Sequence, residues 1–105
     1  MKSILASMNF GPDTIVLDAS DSMKDAFVNP GDTVVIQPQK YVKNGEMVAV
    51  EIKGGPVLLR RLYRVKDLIL LKSENPKTPQ IKENLSDIKV LGKVVLIMRQ
   101  LKAVV

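Results

Sequence analysis

The 105-residue sequence has no cysteine, no histidine and no tryptophan, and aromatic residues make up only 4% of it. Without cysteine there can be no disulfide framework, thiol nucleophile or zinc-thiolate site, and a reducing compartment, the cytoplasm, is the natural setting. Without histidine, a Ser-His-Asp triad and the common imidazole metal sites are excluded by inventory. No apolar run approaches the roughly 18 residues that a membrane span needs, and Met1 to Phe10 lacks the apolar core of a signal peptide. The sequence predicts a soluble chain with no membrane partner. A Gly-rich phosphate loop is missing too, since Gly54-Gly55 leads through Pro56 into a strand pattern rather than a helix.

What is present suits one compact domain over residues 1–105, with 46% apolar residues to bury. The net charge of +5 is uneven: residues 1–32 carry −3 and the remainder +8. The densest basic stretch, Arg60, Arg61, Arg64 and Lys66, has no interleaved aromatics to stack on bases, so it reads as a solvated strand face rather than a nucleic-acid site. Four early aspartates, Asp18, Asp21, Asp25 and Asp32, do not follow the spacing of a calcium loop. No metal and no cofactor is expected.

Turn signals at Asn29-Pro30-Gly31-Asp32, Asn44-Gly45, Gly54-Gly55-Pro56 and Asn75-Pro76 separate short segments rich in Val, Ile and Leu. The pattern predicts a mainly β fold. In Met47 to Lys53, Val48, Val50 and Ile52 alternate with charge, as in a half-buried strand, and Asn44-Gly45 before it suits a tight hairpin turn. After Gly54-Gly55-Pro56, residues 57–65 should return antiparallel, with Leu58, Arg60 and Leu62 on one face and Leu59, Arg61 and Tyr63 on the other. Leu68 to Leu71 is a further short strand. Val94 to Met98 is unbroken apolar, as for a strand covered on both sides by core or by a partner subunit. A helix is credible only as a turn around Met23 to Val28.

With histidine and cysteine absent, the remaining nucleophile chemistry is a serine activated by some other base, and Ser22 has an informative neighbourhood. Asp21-Ser22-Met23 is followed by Asn29-Pro30-Gly31-Asp32, a Val-Val-Ile strand, Asn44-Gly45 and the strand containing Arg60-Arg61-Leu62. Downstream come Ser73-Glu74-Asn75-Pro76 and Ile88-Lys89-Val90-Leu91-Gly92-Lys93-Val94. This ordered set, over roughly residues 14–100, resembles the LexA, UmuD and lambda-repressor family of Ser/Lys self-cleaving peptidase domains. The resemblance implies an antiparallel β domain like the LexA C-terminal domain, with one short helical turn and residues 1–13 as an upstream extension. It places the nucleophile at Ser22 and the general base at position 60.

Two residues depart from the family pattern. Ser20 stands where the family usually has glycine, and Arg60 stands at the catalytic lysine's position. In a Ser/Lys site a desolvated lysine must become neutral to take the serine proton. Arginine, whose reference pKa lies far above neutrality, is neutral in on the order of one molecule in a million at pH 7. Neither Lys53, across the turn, nor Lys66, six residues along, is an evident substitute. Taken alone, Ser22 reads as a helix cap and Arg60 as a surface cation; the resemblance makes them an impaired catalytic pair.

It also implies a homodimerising domain of a stress-responsive transcriptional repressor, contacting DNA only through a separate N-terminal domain. Met1 to Thr14 contains no Ala-Gly or Cys-Gly dipeptide of the kind the family cleaves. The competing expectations are a self-cleaving serine peptidase and, more remotely, a membrane-linked signal peptidase relative.

Overall fold

The computed structural model describes residues 13–39 and 41–101. Residues 1–12 of the expected upstream extension lie outside them. Seven strands form one sheet: β1 (Ile15–Asp18), β2 (Thr33–Gln37), β3 (Met47–Ile52), β4 (Leu58–Val65), β5 (Leu68–Lys72), β6 (Ile81–Asn84) and β7 (Ile88–Met98). Their order across the sheet is β1-β2-β7-β3-β4-β5-β6, and every pairing is antiparallel. A short 3-10 helix, Asp21–Ala26, follows β1, and a single 3-10 turn, Leu85–Asp87, leads into β7. The mainly antiparallel β fold with a short helical turn is therefore as the sequence reads. The helical turn begins two residues earlier than the pattern around Met23 suggests.

Strand alternation explains how one sheet supports two cores. Ala49 of β3 and Leu59 of β4 join Met23, Ala26, Val28, Val34 and Ile36 in one buried cluster. Val48, Val50, Leu62, Ile69 and Leu71 form the other. Burial of each Val, Leu, Ile or Met side chain contributes about 1.5–3 kcal/mol and an alanine methyl about 0.8 kcal/mol, so the turn carrying Met23 and Ala26 is held onto the sheet by packing. On β4 the predicted facing holds: Leu59 goes to the first cluster, Leu62 to the second, and Arg60 lies between Leu58 and Leu62 on the strand.

The β3–β4 hairpin closes through Lys53 (φ 50) and Gly54 (φ 73), with Gly55 N–H donating to Ile52 O at 2.9 Å. Two left-handed central residues match the right-handed twist of the strands they join. The Asn44-Gly45 turn corrects the sequence reading. It does not join paired strands, because β7 separates β2 from β3. Instead Gly45 N–H donates to Leu62 O at 2.8 Å and Leu62 N–H to Glu46 O at 3.1 Å, so the turn extends the β3–β4 ladder.

The sheet positions β7 centrally, between β2 and β3, through two irregularities. Pairing with β3 skips Leu91 and pairing with β2 skips Val95. Such bulges bend a strand and increase its twist. Beyond Lys93, β7 pairs only with β2 among the described residues, and Val94, Val95, Leu96 and Met98 are half-buried while Ile97 is exposed.

Candidate active site

Ser22 reaches the sheet because the chain turns sharply after β1. Ala19 N–H donates to Asp32 O at 2.9 Å, Ser20 stays extended, and Met23 N–H donates back to Ser20 O at 2.9 Å. With Met23 and Ala26 buried beneath, the half-exposed Ser22 lies beside the start of β4. Its hydroxyl donates to Val57 O at 2.6 Å. Ser20 Oγ is 2.8 Å from Ser22 Oγ. A hydroxyl has one proton and a carbonyl can only accept, so Ser20 is the donor in that second bond.

Arg60 is 3% exposed, which overturns its reading as a surface cation. Nη1 donates to Leu59 O at 2.9 Å and Nη2 to Asp25 Oδ2 at 3.3 Å, while the buried Nε has no partner. Asp25 is a hub. Thr78 Oγ1 donates to its other carboxylate oxygen at 3.0 Å, and Ser73 Oγ donates to its backbone carbonyl at 3.0 Å. Ser73 Oγ in turn accepts from Asn75 N–H at 3.0 Å. The Ser73-Glu74-Asn75-Pro76 segment is thereby tied to the helical turn that carries Ser22.

The structure thus brings Ser22 and Arg60 to the same stretch of β4 without joining them. The serine proton is directed at a backbone carbonyl, and the guanidinium at Asp25. A guanidinium donates through every nitrogen and has no lone pair to accept that proton. The neighbouring cations are likewise engaged. Arg61 Nε donates to Glu74 Oε1 at 2.6 Å and Arg64 Nε to Lys66 O at 2.7 Å, which divides the basic stretch among separate partners.

Sequence reasoning missed the roles of Asp25, Ser73 and Thr78, and it missed a second ion pair. Arg99, just past β7, donates Nε to Asp32 Oδ1 and Nη2 to Asp32 Oδ2, both at 2.9 Å, and Asp32 is 1% exposed. Arg99, with help from the Asn29 N–H at 2.8 Å, holds the Asp32 carboxyl below its ordinary range. These partners are 48, 53 and 67 positions apart, a separation at which spacing patterns carry no signal. Among the described residues no group of three or more His, Cys, Asp or Glu could hold a metal ion. No helix among them is long and apolar enough to cross a membrane.

Residues 6–95 match the Peptidase S24-like family. The chain is similar to the LexA repressor of Desulforamulus reducens, 37% identical over 81 residues, which is 77% of this chain and 36% of that protein. It is 39% identical over 79 residues to the LexA repressor of Thermosipho melanesiensis, covering 75% of this chain and 39% of the relative. The transcription regulator LexA of Synechocystis is 28% identical over 88 residues, 81% of this chain and 43% of that one. The chain therefore spans about two fifths of the length of these relatives. With the sheet, the serine turn beside β4 and the family match in agreement, the chain belongs to the Peptidase S24-like family, as a domain of the LexA C-terminal type.

Proposed function

We propose that this chain is the dimerisation and regulatory domain of a LexA-like transcriptional regulator whose Ser/Lys cleavage site is switched off. The observation that carries this reading is the fate of the two site residues. Ser22 donates to Val57 O, and the residue at the base position, Arg60, is buried on Asp25. A general base contributes roughly a hundred- to ten-thousand-fold in rate, and a permanently protonated side chain supplies little of that. In this reading the fold is retained for assembly rather than chemistry. The chain acts as a homodimer in the cytoplasm, and DNA is contacted by a separate N-terminal domain.

The test is a cleavage assay on the full-length parent protein. The unmodified protein should resist self-cleavage at neutral pH. Arg60→Lys should introduce cleavage that Ser22→Ala abolishes, provided the lysine leaves Asp25 and reaches Ser22. If the unmodified parent cleaves at neutral pH and Ser22→Ala stops it, the alternative reading, a functional self-cleaving serine peptidase of a stress response, takes its place.

A further inference from the structure

We infer that Asn44-Gly45 is a self-modification site, at which the asparagine amide closes onto the next backbone nitrogen, and that the far end of the β3–β4 ladder holds it unreacted in the folded chain. The inference is independent of the reading given to Ser22 and Arg60.

The chemistry needs an asparagine amide carbon and an unhindered backbone N–H on the residue that follows. The Gly45 nitrogen gives up its proton and bonds to Cγ of Asn44. The bond from Cγ to the amide nitrogen breaks, ammonia leaves with that proton, and a five-membered cyclic imide remains. Water then opens the imide at either carbonyl, leaving an aspartate or an isoaspartate at position 44. Of the asparagines in the sequence, only Asn44 is followed by glycine. Asn29 and Asn75 precede prolines, whose nitrogen has no hydrogen to lose, and Asn9 and Asn84 precede the bulky Phe10 and Leu85. Asn44 is exposed, so water has access to the imide.

Both reacting groups are occupied in the fold. Gly45 N–H donates to Leu62 O at 2.8 Å, and Asn44 Oδ1 accepts from Arg64 N–H at 2.9 Å. The first bond keeps the proton on the nitrogen that has to attack. The second turns the amide toward β4 and fixes it there. Leu62 N–H, donating to Glu46 O at 3.1 Å, and Arg61 Nη1, donating to Gly45 O at 3.1 Å, hold the same segment. Reaction therefore requires this end of the ladder to open, a local event that costs less than global unfolding.

The position gives the modification a structural consequence. An isoaspartate inserts an extra carbon into the main chain before Gly45, so Gly45 N–H and Glu46 O lose their alignment with Leu62. Glu46 also holds Lys93 Nζ of β7 at 2.8 Å, and its Oε1 accepts from Lys43 N–H at 3.0 Å. Conversion at Asn44 thus loosens β3 from β4 and from β7 at once.

The experiment is incubation of the full chain at pH 8, in native buffer and in denaturing urea, with peptide mass mapping to follow amide-to-acid conversion at position 44. The folded chain should convert at least about tenfold more slowly than the unfolded one, the effect of two hydrogen bonds of ordinary net strength. Arg61→Met removes the bond to Gly45 O while keeping the aliphatic stem, and under native conditions it should convert about threefold faster than the unmodified chain. Arg64→Pro, which deletes the N–H that Asn44 accepts, should be faster again. If that variant fails to fold, Arg61→Met decides the question. Absence of conversion at Asn44 in urea overturns the site itself. Equal rates in the folded and unfolded chain, or an Arg61→Met rate no faster than that of the unmodified chain, overturns protection by the ladder.

Discussion

The guanidinium of Arg60 on β4 and the carboxylate of Asp25 in the helical turn meet at 3.3 Å, with the Arg60 side chain 4% and the Asp25 side chain 24% exposed. This pair joins the turn that carries Ser22 to the strand beneath it. Through Thr78 and Ser73, Asp25 also draws in the connection between β5 and β6.

Removing Asp25 should therefore cost more than a surface ion pair would. Asp25→Ala leaves a buried guanidinium without its counterion and Thr78 without its acceptor. The expected loss is about 2–4 kcal/mol, toward the lower end of what breaking a buried pair costs because Asp25 is partly exposed. Asp25→Asn, which keeps acceptor and size, should lose less. Urea denaturation of the two variants checks the order, and equal stability of Asp25→Ala and the unmodified chain would remove the hub.

Stability should fall in acid through Asp32. Arg99, then the Asn29 N–H, lower its folded-state pKa below the ordinary 3.8. The unfolded chain consequently binds the proton more readily than the folded one. The contribution is complete well above 3.8 and is lost as pH falls from there through the lowered folded value. Glu46, lowered from 4.5 by Lys93 and by the Lys43 N–H, acts in the same direction. Urea midpoints measured from pH 6 to pH 2 should decline, and Asp32→Asn should flatten the decline while lowering the midpoint at neutral pH. An unchanged slope in that variant would contradict the assignment.

Gly92 should tolerate no side chain. A Cβ there would lie 2.5 Å from Gln37 O, 2.8 Å from Gln37 C and 2.9 Å from Ile36 Cγ2. Two of these are backbone atoms of the adjacent β2, which cannot turn aside as a flexible side chain can. Gly92→Ala should destabilise by about 1–3 kcal/mol, the usual range for overpacking a close-packed interior. A thermal melt within a degree of the unmodified chain would show that β2 and β7 can separate freely.

The dimer of the proposed function is expected to involve the end of β7. Past Lys93 one edge of this strand carries no partner among the described residues, and Ile97 is 36% exposed. A self-complementary antiparallel pairing of this segment would bury its half-covered side chains on a two-fold axis. Light scattering at tens of micromolar should give twice the chain mass, and Ile97→Lys should reduce it to one. A monomer at that concentration would count against both the interface and the repressor reading.

Much of this architecture was legible in local patterns. The alternation of Val48, Val50 and Ile52 and the two-faced strand around Leu59 and Leu62 reflect the period of two of a strand, but β3 is not the half-buried strand that its pattern suggests: Val48, Ala49 and Val50 are all fully buried, because the two faces of β3 meet different cores. Asn44-Gly45 was misleading because a turn's residues report its local backbone shape and not which strand will lie alongside. That choice belongs to β7, which inserts between β2 and β3 from the far end of the chain. The length of β7 was also understated, since Lys89, Gly92 and Lys93 interrupt its apolar run.

The sequence by itself determined the fold class and the family, and it nominated Ser22 and Arg60 as the pair at the candidate site. Inventory, period-two patterning and ordered motifs are local properties that survive without coordinates. Only the tertiary structure decided that Arg60 is buried, that it turns to Asp25, and that Ser22 spends its proton on Val57. Those outcomes depend on groups 35 residues apart being packed within hydrogen-bonding distance, and the low-polarity interior then requires each buried polar group to find whichever partner the fold brings near.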